Sequence, residues 1–390
     1  MRIILAANRY VPRGRATQGF LSYLTRVSGA LAGFGNEVII VACGKYPRHF
    51  REENIEIYIE EVHDGTFSCK PYGYLRNYLR MSRAVNKRIK AICREKKADI
   101  IQFTSLSALS LCYFGKAPAV MRLSSYARTA YQTHQTLRVG EERMLSFLER
   151  MAARRCSAVF APCRNTARAF AKDTGRAVSV IESPFYNDVG EYDDSVYREN
   201  LNGKRYALFF GRLYAEKGIL VIADIIHAFL ERNGAYDVVF CGETTAIGGV
   251  DARKILKRRA GALADRLIFL DALPHKSLYC LIKKAEFVIL PSLMENLSNA
   301  CIEAMYFGKV VIGTDGASFE QLITDGENGL LCRINDAQSL LEKMNEAAAM
   351  DDAQREAMGA LARRRTDRLH PDVAVRKLLR YYQYVIDHVR

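Results

Sequence analysis

Four side chains in the second half of the chain are of types that could handle a phosphorylated, hydroxyl-rich molecule. Glu295 and Glu303 stand eight residues apart in VILPSLMENLSNACIEAMYFGKVVIG, residues 288 to 313. An ionised carboxylate only accepts hydrogen bonds, and the hydroxyls of a sugar or a ribose can supply them. Two carboxylates would repel a bare phosphate, so the matching cations must come from elsewhere. Arg212 and Lys217, in Gly211-Arg-Leu-Tyr-Ala-Glu-Lys-Gly218, offer a planar guanidinium fork and a point charge within one loop. Taken singly, Arg212 and Lys217 read more readily as structural ion-pair partners. Taken together, the four describe hydroxyl acceptors at one end of a ligand and phosphate binders at the other.

Such residues need elements to hold them. Val288 to Leu290 and Val310 to Gly313 are short apolar runs with strand character. Between them lie a loop with Glu295 and a short helix, signalled by Ser298 as N-cap and carrying Glu303 among Ala300, Ile302, Ala304 and Met305. Strand, loop, helix and strand in that order are one turn of a parallel α/β sheet. In such sheets ligands sit beyond the carboxyl ends of the strands, at loops and helix N-termini. Tyr206 to Phe210 supplies the strand that delivers Gly211 and Arg212, and a helix from Ile219 to Phe229 follows. Val238 to Cys241, Leu267 to Leu270 and Leu330 to Cys332 are further strand candidates.

The first half repeats the alternation. Ile3 to Ala7, Val38 to Ala42, Asp99 to Phe103, Ala119 to Leu123, Ala158 to Ala161 and Val178 to Ile181 read as strands, with amphipathic stretches between several of them. Gly19, at a loop-to-helix junction, allows close backbone approach to a ligand or simply a turn. Thr104, Ser105, Ser124, Ser125 and Tyr126 follow two of these strands, where they would cap a loop or meet an acceptor in about equal measure. His134 reads as an exposed loop histidine more readily than as a catalytic one. From Leu75 to Ile92 one helical face is apolar, while Arg76, Arg80, Arg83, Lys87, Lys90 and Arg94 form a basic stripe on another. A solvated face is the plainer account of that stripe, and contact with anionic lipid or a phosphorylated acceptor is the other.

At 390 residues and 49% hydrophobic composition the chain can bury two cores. Expected boundaries are 1–185 and 200–370, joined through Ser183 to Asn202, a stretch poor in aliphatics. No apolar run approaches the ~20 residues of a membrane span, and Met1 leads straight into a strand, which predicts a cytoplasmic protein. The ten cysteines form no C-x-x-C pair and read as reduced core thiols. A formal charge of +14 predicts an acidic partner. Nucleic acid is the less favoured one, because the basic stripe lacks interleaved aromatics for base stacking.

The ordered motifs resemble those of glycosyltransferase family 4, the retaining enzymes of the GT-B fold. The resemblance rests on Gly211-Arg-Leu with Glu216-Lys-Gly218, Pro291-Ser with Glu295 and Glu303 in an E-x7-E arrangement, Glu303-Ala-Met with Gly308, and Asp325-Gly-Glu-Asn-Gly-Leu330. It implies an α/β protein of two doubly wound Rossmann-like domains facing across a cleft. The first would bind the acceptor and the second, from 200 to 370, the nucleotide-sugar donor, with the helix 371–390 returning to the first. Arg212 and Lys217 would bind the donor diphosphate, Glu303 the ribose and Glu295 the donor sugar. Backbone N–H groups from Asn296, Leu297, Ser298 and Asn299 would approach sugar or phosphate, and Gly19 and Gly211 would line the donor loops. Gln18 stands where many members have another glycine. Arg122-Leu-Ser-Ser125 stands where many place a histidine, so Arg122, Ser124 and Ser125 are the acceptor-side candidates.

The implied reaction moves a sugar from a UDP- or GDP-sugar to a saccharide or lipid-linked acceptor hydroxyl, with no bound metal and no cofactor beyond the donor. Its setting would be surface polysaccharide or glycolipid assembly, in the cytoplasm or peripheral on the inner face of a membrane. A sugar-nucleotide epimerase or phosphorylase of the same fold, and a non-catalytic protein binding polyanions or membranes, are the rival readings.

Overall fold

Residues 1–12, 19–62, 71–129, 139–187 and 189–388 are described in a computed structural model of the chain. The chain divides into two units, Met1–Tyr186 with Leu369–Arg390, and Asn187–Arg368. His134 and Gln18 lie outside the described residues.

The first unit is built on an eight-stranded sheet. Its strands are β1 (Arg2–Ala7), β2 (Glu37–Gly44), β3 (Arg48–Glu52), β4 (Ile55–Glu61), β5 (Ile100–Thr104), β6 (Ala119–Arg122), β7 (Ala158–Ala161) and β8 (Val178–Val180). They lie in the order β3-β4-β2-β1-β5-β6-β7-β8. All neighbours are parallel except β3 and β4, an antiparallel hairpin on the edge. Strands such as Ile3-Ile-Leu-Ala-Ala7 are buried on both sides because helices cover both faces. On one face α2 (Pro71–Glu95), α3 (Val139–Ala153) and α4 (Arg164–Thr174) share a core that includes Val85, Ile89, Phe103, Leu148 and Phe170. On the other, α1 (Phe20–Gly33) shares a core with Val375, Leu378, Tyr382 and Val385 of the C-terminal helix Pro371–His388. Tyr382 and Tyr23 both donate to Gln102 Oε1, at 2.6 and 3.2 Å, which fixes that helix against the middle of the sheet. A buried amide oxygen left without those donors would carry its full desolvation cost, so the register of the helix is specified as well as its burial.

The second unit starts with α5 (Ser195–Leu201), inside the stretch expected to be a bare connection. That helix has few aliphatics, but Leu201 is fully buried and anchors it. A six-stranded parallel sheet follows, made of β9 (Arg205–Phe210), β10 (Tyr236–Cys241), β13 (Leu267–Leu270), β14 (Phe287–Ile289), β15 (Val310–Asp315) and β16 (Leu330–Arg333). A small ribbon of β11 (Ala246–Ile247) and β12 (Val250–Asp251) stands apart from it. The order is β13-β10-β9-β14-β15-β16, so the chain winds outward from β9 one way and returns beside β9 as β14 to wind the other way. Such a reversal opens a crevice at the carboxyl ends of its two central strands. Helices α6 (Ile219–Arg232), α7 (Ala252–Ala260), α8 (His275–Lys284), α9 (Asn299–Tyr306), α10 (Ala337–Ala349) and α11 (Asp352–Thr366) complete the unit. Phe209, Phe229, Phe240 and Phe287 are buried in its core, where losing any one ring would cost about 3–5 kcal/mol.

Candidate functional site

β9 and β14 are direct neighbours, with Phe287 beside Ala207 and Val288 beside Leu208, so the loops that leave them emerge together. The β9 loop turns at once on Gly211, closes a short 3-10 turn at Ala215–Lys217, and enters α6 through Gly218. Gly218 has a φ of 78°, and a Cβ there would lie 2.0 Å from the Pro291 carbonyl oxygen. Glycine is therefore what lets the β9 loop press against the β14 loop. Gly242 does the same for the loop after β10, since its Cβ would lie 2.0 Å from the Gly211 carbonyl. Backbone bonds tie the loops further: Leu293 N–H donates to Glu216 O at 2.8 Å, Leu213 N–H to Glu243 O at 2.8 Å, and Glu295 N–H to Ala317 O at 3.2 Å.

Lys217 and Glu295 meet in this interlocked set. Lys217 Nζ lies 2.5 Å from Glu295 Oε1, with side chains 26% and 15% exposed. Ser292 Oγ donates to the same Oε1 at 2.9 Å. Both bonds fall on one oxygen, and Oε2 has no hydrogen-bond donor among the described residues. Arg212 leaves the same strand end, exposed, with its guanidinium 4.6 Å over the Tyr214 ring and no carboxylate partner among the described residues. A cation stacked on an aromatic is held in place without being neutralised.

Beyond Glu295 the chain reaches Ser298, which is the N-cap of α9 as its type and position suggest, its hydroxyl accepting from Cys301 N–H. Leu297 and Ser298 are buried, while Asn296 and Asn299 are half-buried on either side of them. Cys301 faces the interior, and burial pushes its thiol far up, so it is inert. Glu303, in the middle of α9, is only 6% exposed. Its Oε1 lies 3.8 Å from His275 Nε2 at the start of α8, and the His275 ring stacks on Tyr279 at 5.1 Å. No sequence motif singles out His275. Its position does carry a signal, since it opens the helix after strand Leu267–Leu270, which puts it on the edge where ligands bind. Ser318, with a φ of 76°, is a second feature no motif announces; it follows Ala317, whose carbonyl receives Glu295 N–H.

In the first unit, Gly19 is at the N-cap position of α1 with φ 59° and ψ −123°, a conformation that suits glycine alone. Arg122, at the end of β6, is buried rather than presented to solvent. Its Nη1 donates to Ser124 Oγ at 2.8 Å and its Nη2 to Ser183 Oγ at 3.0 Å, and its guanidinium lies 3.7 Å over the Tyr23 ring. Burial lowers its pKa, because a guanidinium with hydroxyl and ring partners but no carboxylate partner among the described residues is poorly compensated. Arg122 therefore shapes the end of β6 from within, and Ser124 and Ser125 are the half-buried residues beside it. Thr104 Oγ1 donates to Ser124 Oγ at 2.8 Å, and Ser105 Oγ to Ser125 O at 2.9 Å.

A shallow cavity of about 490 Å3 lies at the opposite, amino-terminal edge of the second sheet, lined by Arg205, Glu286, Asp351, Asp352 and Arg355 among others. Its charges neutralise one another, with Arg355 paired to Glu286 at 3.1 Å and to Asp352 at 2.6 Å, so it offers no net cation to a phosphate. Among the described residues no group of three or more His, Cys, Asp or Glu side chains is placed to hold a metal ion. The nine described cysteines are free, and most are buried.

Comparison with known proteins gives this arrangement its relatives. Residues 194–365 match the family described as glycosyl transferases group 1, and residues 18–185 match glycosyltransferase family 4. A GDP-mannose:cellobiosyl-diphosphopolyprenol alpha-mannosyltransferase of Xanthomonas campestris is 25% identical over 265 residues, 66% of this chain and 67% of that protein. A phosphatidyl-myo-inositol mannosyltransferase of Mycolicibacterium smegmatis is 24% identical over 376 residues, 94% of this chain and 90% of that protein. Among solved structures, a sucrose-phosphate synthase from Thermosynechococcus elongatus superposes with a TM-score of 0.80 at 18% identity, covering 98% of this chain and 99% of its own. At that identity the likeness is one of fold, two Rossmann-like domains of the GT-B type.

Proposed function

Since the chain belongs to glycosyltransferase family 4, we propose that it moves a hexosyl group from a nucleoside diphosphate sugar to an acceptor hydroxyl with the anomeric configuration retained. The observation that carries this reading is the contact of Lys217 with Glu295 at the reversal of strand order in the second unit. There a cation and a hydroxyl acceptor, 78 residues apart in sequence, stand side by side where an activated sugar presents its diphosphate next to its ring.

In this reading Arg212 and Lys217 bind the diphosphate. As the bond from the sugar C1 to the phosphate oxygen breaks, negative charge grows on that oxygen and both cations stabilise it. The acceptor oxygen bonds to C1 on the same face, and its proton passes to the departing phosphate. Each cation is asked for the roughly 3 kcal/mol that one preorganised donor provides. Glu295 holds sugar hydroxyls through Oε2, its other oxygen being tied to Ser292 and Lys217. Glu303 holds the ribose hydroxyls, with His275 setting the angle of its carboxylate. Arginine and lysine take the place a divalent ion holds in other transferases, so the reaction is proposed to run without metal and without a cofactor other than the donor.

The acceptor is proposed to be a saccharide, free or lipid-linked, used in surface polysaccharide or glycolipid assembly. The two relatives named for polyprenol-linked and phosphatidylinositol acceptors support that choice. A lipid-linked acceptor would make this a peripheral membrane protein, and no helix among the described residues is long and apolar enough to cross a membrane. Incubating the protein with UDP-, GDP- and ADP-sugars, with and without EDTA, tests the reading. Slow release of nucleotide from one donor, EDTA-insensitive and giving the retained anomer, is the expected result. Isomerised donor without hydrolysis would make it an epimerase, and no turnover of any donor would remove the proposal.

A further inference from the structure

Two helices of the second unit, α8 and α9, bring His275 and Glu303 together, and α8 does not secure its own beginning. His275 is its first residue, with Nε2 3.8 Å from Glu303 Oε1 in α9. The residue before it is Pro274, which gives no side-chain cap, and the first turn holds no acid. A helix that starts this way leaves its first N–H groups and the positive end of its dipole unmet from within. The compensation comes from the segment 192–195, which precedes the whole sheet in sequence. Asp193 gives one carboxylate oxygen to each of two helices. Its Oδ1 accepts from Ser195 N–H at 3.1 Å and Ser195 Oγ at 2.7 Å, at the start of α5. Its Oδ2 accepts from Ser277 Oγ at 3.2 Å and lies 3.7 Å from Lys276 Nζ, both in the first turn of α8. The Asp193 N–H donates to Lys276 O at 3.2 Å as well. Ser277 is only 3% exposed, so the contact is seated in the fold and not a passing surface encounter. These donors, Ser195 foremost, hold the Asp193 carboxyl below its usual pKa, which keeps it charged beside the helix dipole.

The second observation is aromatic. Tyr192, the residue before Asp193, meets Phe307 edge-on at 6.4 Å, and Phe307 directly follows α9. Lys283, in the last turn of α8, places its ammonium 3.7 Å from the centre of the Tyr192 ring. Phe307 in turn packs at 4.8 Å on the buried Tyr279, and Tyr279 stacks on His275 at 5.1 Å. One route of contacts therefore runs from Tyr192 through Phe307 and Tyr279 to His275. The other runs from Asp193 to the turn that His275 opens. Both end at the residue that faces Glu303.

We propose that Asp193 and Tyr192 are positioning residues for the ribose of the donor: strapped across α8 and the end of α9, they set the spacing of His275 and Glu303, and with it the carboxylate that takes the ribose hydroxyls. This rests on the reading of Glu303 given above. Asp193 and Tyr192 act through the two helices and not on the nucleotide itself. Their loss is therefore felt at the ribose, while the diphosphate keeps its contacts with Arg212 and Lys217.

The readout is discrimination between a ribonucleotide and its 2′-deoxy counterpart, measured by calorimetric titration of the full-length protein. The probe is whichever of UDP, GDP and ADP the wild type binds most tightly, beside the same nucleotide without its 2′-hydroxyl. The wild type is expected to prefer the ribonucleotide roughly tenfold or more, the scale of one hydrogen bond to a carboxylate. Asp193→Ala should cut that preference about fivefold, the scale of losing one helix cap, with affinity for the deoxynucleotide close to the wild type. Ser277→Ala, which deletes the same contact from the α8 side, should give the same fall, so the test does not depend on one variant folding. Tyr192→Ala should lower the preference in the same direction. A loss of equal factor for both nucleotides would mean that the strap only holds the fold together, and would overturn the proposal. An unchanged preference in Asp193→Ala and Ser277→Ala, with Glu303→Ala abolishing it, would overturn the proposal and leave the ribose assignment standing. A wild type without any preference, or a Glu303→Ala variant that keeps it, would remove the ribose assignment and the proposal together.

Discussion

Glu295→Gln separates the two jobs that meet at one oxygen. In the free protein the Lys217 ammonium is held 2.5 Å from the Glu295 carboxylate. A diphosphate bound to that ammonium would place its nearest charged oxygen roughly 5 Å from the carboxylate, a gross repulsion of about 3 kcal/mol at an effective dielectric of 20. With both side chains part-exposed, at 26% and 15%, solvent reduces this to something nearer 1 kcal/mol. Removing the negative charge while keeping the shape should therefore leave free UDP or GDP binding unchanged or up to about fivefold tighter. Turnover should fall on the order of 10²-fold, because the amide accepts sugar hydroxyls less strongly than the carboxylate. Lys217→Ala should behave oppositely, costing free-nucleotide binding the 1.5–3 kcal/mol of a charged hydrogen bond, roughly 10- to 150-fold. Calorimetric titration with free nucleotide, beside initial rates with the whole donor, gives both numbers for each variant. If Glu295→Gln loses nucleotide affinity in step with turnover, the division of labour between Lys217 and Glu295 is wrong.

Other consequences follow from the same geometry. Arg212→Ala should lower turnover about 10²-fold with a melting temperature close to the wild type, because the side chain is exposed and makes no ion pair among the described residues; near-normal turnover would remove Arg212 from the reaction. Glu303→Ala should weaken free-nucleotide binding directly, and His275→Ala by a smaller factor of about five, since His275 acts on the nucleotide through Glu303; equal losses would mean that His275 touches the ligand. Glu149, buried on α3 and, among the described residues, accepting only from Ala127 N–H at 2.9 Å, has its pKa pushed up to about 8, chiefly by burial and then by Glu142. The folded state thus holds that proton more tightly than the unfolded chain, so the stability it confers is complete below about pH 4.5 and is lost as pH rises to about 8. Glu149→Gln should flatten the fall in melting temperature across that window, a difference of a few kcal/mol by pH 8, and an unchanged pH profile would contradict the assignment.

Much of this was legible in the sequence, and the rest was not for identifiable reasons. Ala158–Ala161 and Leu267–Leu270 are strands with the very ends that their apolar runs suggest. Ser298 caps α9 because a hydroxyl before an apolar helical run has one useful place to go. The hairpin of β3 and β4 escaped notice because the edge strand, Arg48-His-Phe-Arg-Glu52, carries charge on both faces, which keeps it from pairing with another molecule, and β4, Ile55-Glu-Ile-Tyr-Ile-Glu-Glu61, alternates apolar with acidic residues. Ser195–Leu201 was hidden by its acidic surroundings, although one buried leucine suffices to seat it. Arg122 read as an acceptor-side residue because it stands where many members of the family place a histidine; that it turns inward to Tyr23 and Ser183 is a tertiary fact with no local signature. The Lys217–Glu295 contact lies between these cases, since each motif is visible but only the strand order β9-β14 makes them neighbours.

The structure of the protein with its donor bound, or with a non-hydrolysable analogue of it, tests the central claim most directly. The diphosphate is expected on Lys217 and Arg212, a sugar hydroxyl on Glu295 and the ribose on Glu303, all at the carboxyl ends of β9 and β14. A donor seated instead among Arg205, Glu286 and Arg355 at the other edge of the sheet would contradict it.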